Sequence, residues 1–173
     1  MREGRGLGLL RRIDFWVSVL IVFVTVVLAV GKVLSLYSLG FFVGPYRASH
    51  WLVIIGSIYI AVATLVFSIL KKRFQTKYEA LVGFHVIGNL SAVLLVTIHF
   101  MSQVTRSLSN YPQLGTGLAL YVVMLLLVVS GFPYRFRFYP RLGLGTIRLL
   151  HVGAALSFYI LIGIHVLHGV GIL

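Results

Sequence analysis

Five apolar runs, each near the length needed to cross a lipid bilayer, constrain this chain more than any other feature of its sequence. A hydrocarbon core about 30 Å thick takes roughly 20 residues of helix. The runs Phe15–Gly31, Trp51–Leu70, Leu81–Met101, Leu118–Gly131 and Leu149–Gly171 approach that length. Inside such a core each segment must satisfy its own backbone amides, so the runs are expected to be helical. The fold class that follows is an all-α integral membrane protein with five transmembrane helices. The fourth run is the shortest, and Gly115 to Gly117 can add a turn to it; the first can run past Lys32 through Val33–Tyr37 if its end is tilted. Hydrophobic residues make up 60% of the chain and charged residues only 10%, a balance that excludes an ordinary soluble domain.

The formal net charge of +12 raises the question of nucleic acid, but the basic residues sit in short clusters between the apolar runs. That placement is a topology signal, and no nucleic-acid partner is expected. Four basic residues precede the first span (Arg2, Arg5, Arg11, Arg12), two follow it (Lys32, Arg47) and four follow the second (Lys71, Lys72, Arg73, Lys77). One follows the third (Arg106), four follow the fourth (Arg135, Arg137, Arg141, Arg148), and none follows the fifth. The split is twelve against three, so the positive-inside rule puts the N-terminus in the cytoplasm and the C-terminus outside, in a plasma or cytoplasmic membrane. The first span follows a basic stretch as a signal peptide would, yet its apolar run is longer than a typical signal core and no convincing small-residue cleavage site follows. It is read as a retained span.

The chain has no cysteine. Disulfides, iron–sulfur clusters, thiolate zinc sites and covalently attached haem are thereby excluded by ligand supply, and any metal chemistry rests on histidine. Four of the six histidines form two matched pairs: His85 and His99 on the third span, His151 and His165 on the fifth, each pair fourteen residues apart. Fourteen residues is close to four helical turns, so the members of a pair share a face and lie about 21 Å apart along the axis. The third and fifth spans run in the same direction. His85 is therefore expected at the level of His151 near the inner surface, and His99 at the level of His165 near the outer one. Two imidazoles at each of two depths is the arrangement that two bis-histidine b-type haems require. A histidine within a membrane can instead satisfy a neighbouring carbonyl, but burying four in lipid is costly, and equal spacing on two parallel helices has no packing rationale.

Small residues near these ligands, Gly88, Ala92, Gly153, Ala154, Ala155 and Gly163, would make room for a flat porphyrin, though they also serve ordinary helix packing. Midway between the levels fall Ala92 and Phe158. Haem propionates need cationic partners; Arg148 and Lys77 at the inner end and Arg106 and Arg47 at the outer end are placed to supply them, or else only fix topology. His168 follows His165 by three residues and His50 opens the second span, so either is an alternative ligand at the outer haem, a propionate partner, part of a quinone pocket, or an interfacial histidine with no special role. Bis-histidine ligation fills both axial positions of the iron, so single-electron transfer is the expected work. None of the three acids (Glu3, Asp14, Glu79) lies in the interior of a predicted span, which argues against a proton pump or a carboxylate-based ion carrier.

The pairs Phe84-His85 to His99 and Leu150-His151 to His165 resemble the core of the cytochrome b superfamily. In that superfamily two ligand-bearing helices of a four-helix bundle hold two haems b. The resemblance implies a single membrane domain over residues 1–173, in which 1–49 supply an extra N-terminal helix and loop and 50–173 a di-haem bundle of the second to fifth spans. It also implies His85, His99, His151 and His165 as axial ligands. Arg47-Ala-Ser-His50-Trp51 and Ser130-Gly131 resemble the cytochrome b subunits of bacterial hydrogenases and formate dehydrogenases, which exchange electrons with quinone and with partner subunits. In those subunits the histidine of the first motif is typically a ligand, whereas here the third span already offers two. The two-histidine third and fifth spans are similar also to the ferric-reductase-like transmembrane domain, without its sixth span or its flavin domain. The chain is thus expected to be an electron-transfer subunit of an oxidoreductase complex rather than a catalyst alone. The reading from another class is a non-redox, histidine-lined metal or haem transporter or an assembly subunit.

Overall fold

A computed structural model describes residues 13–105, 115–137, 143–169 and 171–172 of the chain. Five long helices dominate: α1 (Ile13–Val33), α2 (Ala48–Arg73), α3 (Tyr78–Val104), α4 (Gly115–Phe136) and α5 (Leu144–Gly169). All five are long and apolar enough to cross a membrane, and the chain is an integral membrane protein. Large apolar side chains such as Phe23, Leu65, Val129 and Ile160 are exposed along them. This is the distribution expected where lipid, and not water, surrounds the protein.

The helix termini follow simple electrostatics. Asp14 lies in the first turn of α1 and Lys32 in its last; Lys71, Lys72 and Arg73 close α2, and Glu79 opens α3. Each charge complements the partial charge of the helix end it occupies. Hydroxyls within the spans return to their own helix: Ser18 donates to the Asp14 carbonyl at 2.7 Å, Thr25 to Ile21 at 2.7 Å, and Ser102 to Ile98 at 2.8 Å. A hydroxyl in hydrocarbon has no water to bond, and the carbonyl one turn back is its nearest acceptor.

The chain forms two compact units, Met1–Ser107 and Leu108–Leu173. In the first, α3 packs against both α1 and α2 and supplies most of the core through Leu90, Ala92, Val93, Val96, Thr97 and Ile98. Gly56 brings α2 close to α3: a Cβ there would stand 2.9 Å from the Ala92 carbonyl oxygen and 3.2 Å from Val96 Cγ2. Only a residue without a side chain lets the two backbones meet this way. A two-stranded antiparallel hairpin, β1 (Phe42–Val43) and β2 (Tyr46–Arg47), links α1 to α2. Gly44 turns it with a φ of 60°, a conformation open to glycine. Trp51 Nε1 donates to the Val43 carbonyl at 2.8 Å, and the Tyr37 hydroxyl donates to the Leu28 carbonyl at 2.8 Å. The hairpin and the loop before it are thereby tied to both flanking helices.

In the second unit α4 and α5 pack against each other. The fourth span was predicted to end at Gly131, but α4 runs on through Pro133 to Phe136. Proline removes one amide donor and bends a helix, yet in a membrane the freed carbonyl can be served by neighbouring groups. The opposite correction applies to the fifth span: its helix stops at Gly169, short of Gly171, which takes a φ of 74°. The first helix likewise ends at Val33 and does not continue to Tyr37. Gly115 opens α4, as the sequence allowed.

Candidate functional site: the intramembrane histidines

On α3, His85 lies in its second turn and His99 in its last two turns. The His85 ring stacks on Phe67 of α2, with centroids 4.4 Å apart and planes 19° apart. Asn89, one turn further along α3, brings its Nδ2 to 3.0 Å from His85 Nδ1. In that orientation the buried Oδ1 of Asn89 has no hydrogen-bond partner among the described residues. Turned over, the same amide would offer its oxygen to an Nδ1–H of His85, and the two orientations have nearly the same shape.

At the other end of α3, His99 Nδ1 lies 3.2 Å from the Ser49 carbonyl oxygen. A carbonyl can only accept, so Nδ1 carries the proton here. The His50 ring stands edge-on to that of His99, with centroids 5.0 Å apart, and Tyr46 flanks His50 at 6.4 Å. The histidine that opens α2 is therefore next to the end of α3 that carries His99. Arg47 is engaged locally, its guanidinium 5.6 Å from the Phe42 ring centroid.

The second unit repeats one arrangement at two heights. His151 Nδ1 lies 3.1 Å from Ser130 Oγ, and a Cβ on Gly131 would stand 2.9 Å from His151 Cε1. His165 Nδ1 lies 3.0 Å from Thr116 Oγ1, and a Cβ on Gly117 would stand 3.3 Å from His165 Cε1. The pairs Thr116-Gly117 and Ser130-Gly131 are themselves fourteen residues apart, the same interval that separates His151 from His165. Because α4 and α5 are antiparallel neighbours, the later pair on α4 meets the earlier histidine on α5. Tyr134 lies nearly parallel to His151, with centroids 6.5 Å apart.

Ser130-Gly131 is visible in the sequence as a motif, but its partner Thr116-Gly117 and the shared interval are not obvious until the histidines are seen against them. A search of the other spans for a fourteen-residue repeat is the signal that finds them. The small residues singled out from the sequence divide differently. Gly88 is covered by the Tyr59 phenol, Ala92 is buried under Gly56, and a Cβ on Gly153 or Gly163 would meet nothing within 4 Å. Phe158 is buried, as a filler between two levels would be. Arg148 is exposed in the second turn of α5, His168 is exposed at its end, and Arg106 lies outside the described residues.

Among the described residues no three His, Cys, Asp or Glu side chains gather as a bare metal ion would need. A haem asks less of the protein, two axial nitrogens and a flat space. Two observations fit it: at Gly117 and Gly131 the missing Cβ lets the rings of His165 and His151 lie close against α4, and the Nδ1 of each is within hydrogen-bond distance of a hydroxyl, so the lone pair of a neutral imidazole can sit on Nε2. No protein-family model, curated protein or solved structure matches this chain.

Proposed function

We propose that the chain is a di-haem membrane cytochrome b that passes single electrons between the two faces of a bilayer. His85 and His151 would ligate one haem b and His99 and His165 the other, within a bundle formed by α2 to α5. The observation that carries this reading is the doubled fourteen-residue interval between histidines on α3 and α5, two spans that would run the same way if successive spans alternate across the bilayer. It is supported by the third instance of that interval, the hydroxyl–glycine pairs of α4 packed against His151 and His165.

When bound, each haem would supply a one-electron redox centre in a membrane interior that protein groups alone cannot carry charge across cheaply. The residues do the rest. The four imidazoles would set two depths about 21 Å apart, Phe158, buried on α5, would fill the layer between them, and at two of the proposed ligands α4 presents glycine, with no Cβ. Arg148 on one side and Arg106 on the other are cations available to propionates. His50, beside His99, is the reserve ligand or quinone contact at that level. With the N-terminus cytoplasmic, the His99–His165 level faces outward, and electrons would pass between it and a quinone or a partner subunit.

A dithionite-reduced minus oxidised spectrum of the purified protein, with haem quantified as the pyridine haemochrome, tests the proposal. A b-type band with two haems per chain supports it. A colourless protein refutes it and turns attention to the histidine-lined transporter or assembly subunit, for which the close His50 and His99 rings would be the starting point.

A further inference from the structure

A neutral imidazole has one nitrogen that donates and one that accepts, and only the accepting nitrogen can bind a metal. Which is which depends on the hydrogen bond made by the other side of the ring. Ser130 is informative because its hydroxyl has a single proton and that proton is committed: Oγ donates to the Leu126 carbonyl at 2.6 Å. Toward His151 the same oxygen is then an acceptor, so the bond of 3.1 Å runs from Nδ1–H to Ser130 Oγ, and the Leu127 carbonyl is a second acceptor that His151 meets. With the proton on Nδ1, the ring's lone pair falls on Nε2, whose distance from a Cβ built on Gly131 is 3.8 Å.

We infer that Ser130 and Thr116 are positioning residues that hold His151 and His165 as Nδ1–H imidazoles and so present Nε2 of each as a metal ligand. This rests on the haem reading above and assigns it two residues of α4 that make no contact with the iron. At His165, Thr116 Oγ1 stands 3.0 Å from Nδ1, and the repeat of the Ser130–His151 arrangement is what carries the direction of the bond over to it. Each hydroxyl residue is followed at once by the glycine over which the ring's Cε1 lies. The hydroxyl sets the ring's proton and rotation, and the missing Cβ next to it lets the ring approach closely enough for that bond to form. Partners of this kind typically contribute about 10- to 100-fold to metal affinity.

The test uses the full chain in lipid nanodiscs, with histidine labelled with ¹⁵N, in the wild type and in Ser130→Ala, Ser130→Thr, Thr116→Val and Thr116→Ser. Before haem is added, imidazole ¹⁵N resonances report which nitrogen carries the proton; after reconstitution, haem titration reports affinity at each level. The expected result is Nδ1–H at His151 and His165 in the wild type. Ser130→Ala should release His151 alone and weaken one haem about 10- to 100-fold, Thr116→Val should do the same at His165, and the Thr and Ser exchanges should restore both. A haem-loaded chain whose Ala and Val variants keep the wild-type tautomers and both haems overturns the positioning role and leaves the cytochrome reading standing. A chain that takes up no haem overturns the reading on which the inference rests, whatever its tautomers.

Discussion

On the proposed di-haem reading, replacing Gly131 with alanine should disturb one haem level far more than replacing Gly117. At Gly131 the new Cβ would stand 2.9 Å from Cε1 and 3.3 Å from Nδ1 of His151. Carbon atoms settle at about 3.5 Å or more, so the ring must retreat from α4 by roughly 0.6 Å. Retreat in that direction lengthens the 3.1 Å bond to Ser130 beyond hydrogen-bond range. Losing that bond costs about 0.5–1.5 kcal/mol, and crowding of this kind about 1–3 kcal/mol. Alanine returns about 1 kcal/mol of helix propensity. The balance is a loss of about 2 kcal/mol, or roughly 30-fold in occupancy of the level that His151 serves. At Gly117 the approach is 3.3 Å, a mismatch of about 0.2 Å that the ring can absorb. There the propensity gain offsets the strain, and both haems should stay. Pyridine haemochrome counts and haem titrations on the two purified variants measure the difference directly. Equal loss from both, or full occupancy in Gly131→Ala, would show that the close approach of α4 has no part in seating the ligand.

The proposed pairing of ligands across α3 and α5 predicts that His85→Ala and His151→Ala remove the same haem and spare the other, read from the α-band and from redox titration; loss of different haems refutes the pairing. Gly56→Ala should lower thermal stability by about 1–3 kcal/mol, because the new methyl meets the Ala92 carbonyl, a backbone atom that cannot swing aside. An unchanged melting curve by circular dichroism would mean that α2 and α3 do not approach so closely. Tyr59→Phe removes a buried hydroxyl that has no hydrogen-bond partner among the described residues, so stability should hold or rise slightly; a marked fall would reveal a partner for it. Since the chain has no cysteine, single cysteines at Ser38 and Gln75 give unambiguous topology. An impermeant maleimide should reach Ser38→Cys in intact cells and Gln75→Cys only after lysis, and the reverse pattern overturns the assigned orientation.

The spans were legible because lipid leaves the backbone only one choice over roughly 20 apolar residues. Their ends were less so, for a physical reason that α4 illustrates. Hydropathy falls away at Gly131, but helical hydrogen bonding persists through Pro133 and the arginine-bearing turn beyond, since a helix may outlast the hydrocarbon that demanded it. The hairpin of Phe42–Val43 and Tyr46–Arg47 left no periodic signal: each strand is two residues long, and the turn depends on the positive φ of Gly44 and on Trp51 reaching back to Val43. The first span can in principle run past Lys32 through Val33–Tyr37, but the Tyr37 side chain folds back to the Leu28 carbonyl and the helix ends at Val33.

The histidine interval could be counted in the sequence because two residues at a fixed spacing on one helix are a one-dimensional pattern. What supports each ring could not, because it comes from other residues whose own roles are ambiguous. Gly88 near His85 reads as room for a cofactor, yet the Tyr59 phenol occupies it; Gly117 reads only as part of an added turn and Gly131 only as half of the Ser130-Gly131 motif, yet His165 and His151 lie over them. The distinction turns on polarity. A glycine met by a phenol ring or a methyl needs only shape. A glycine preceded by a hydroxyl that bonds an imidazole nitrogen ties shape to proton placement, and in hydrocarbon an imidazole nitrogen without a partner is costly. Repeating that combination at one helical interval twice on α4, opposite two histidines at the same interval on α5, places a polar demand at both levels that helix packing alone would have no reason to create.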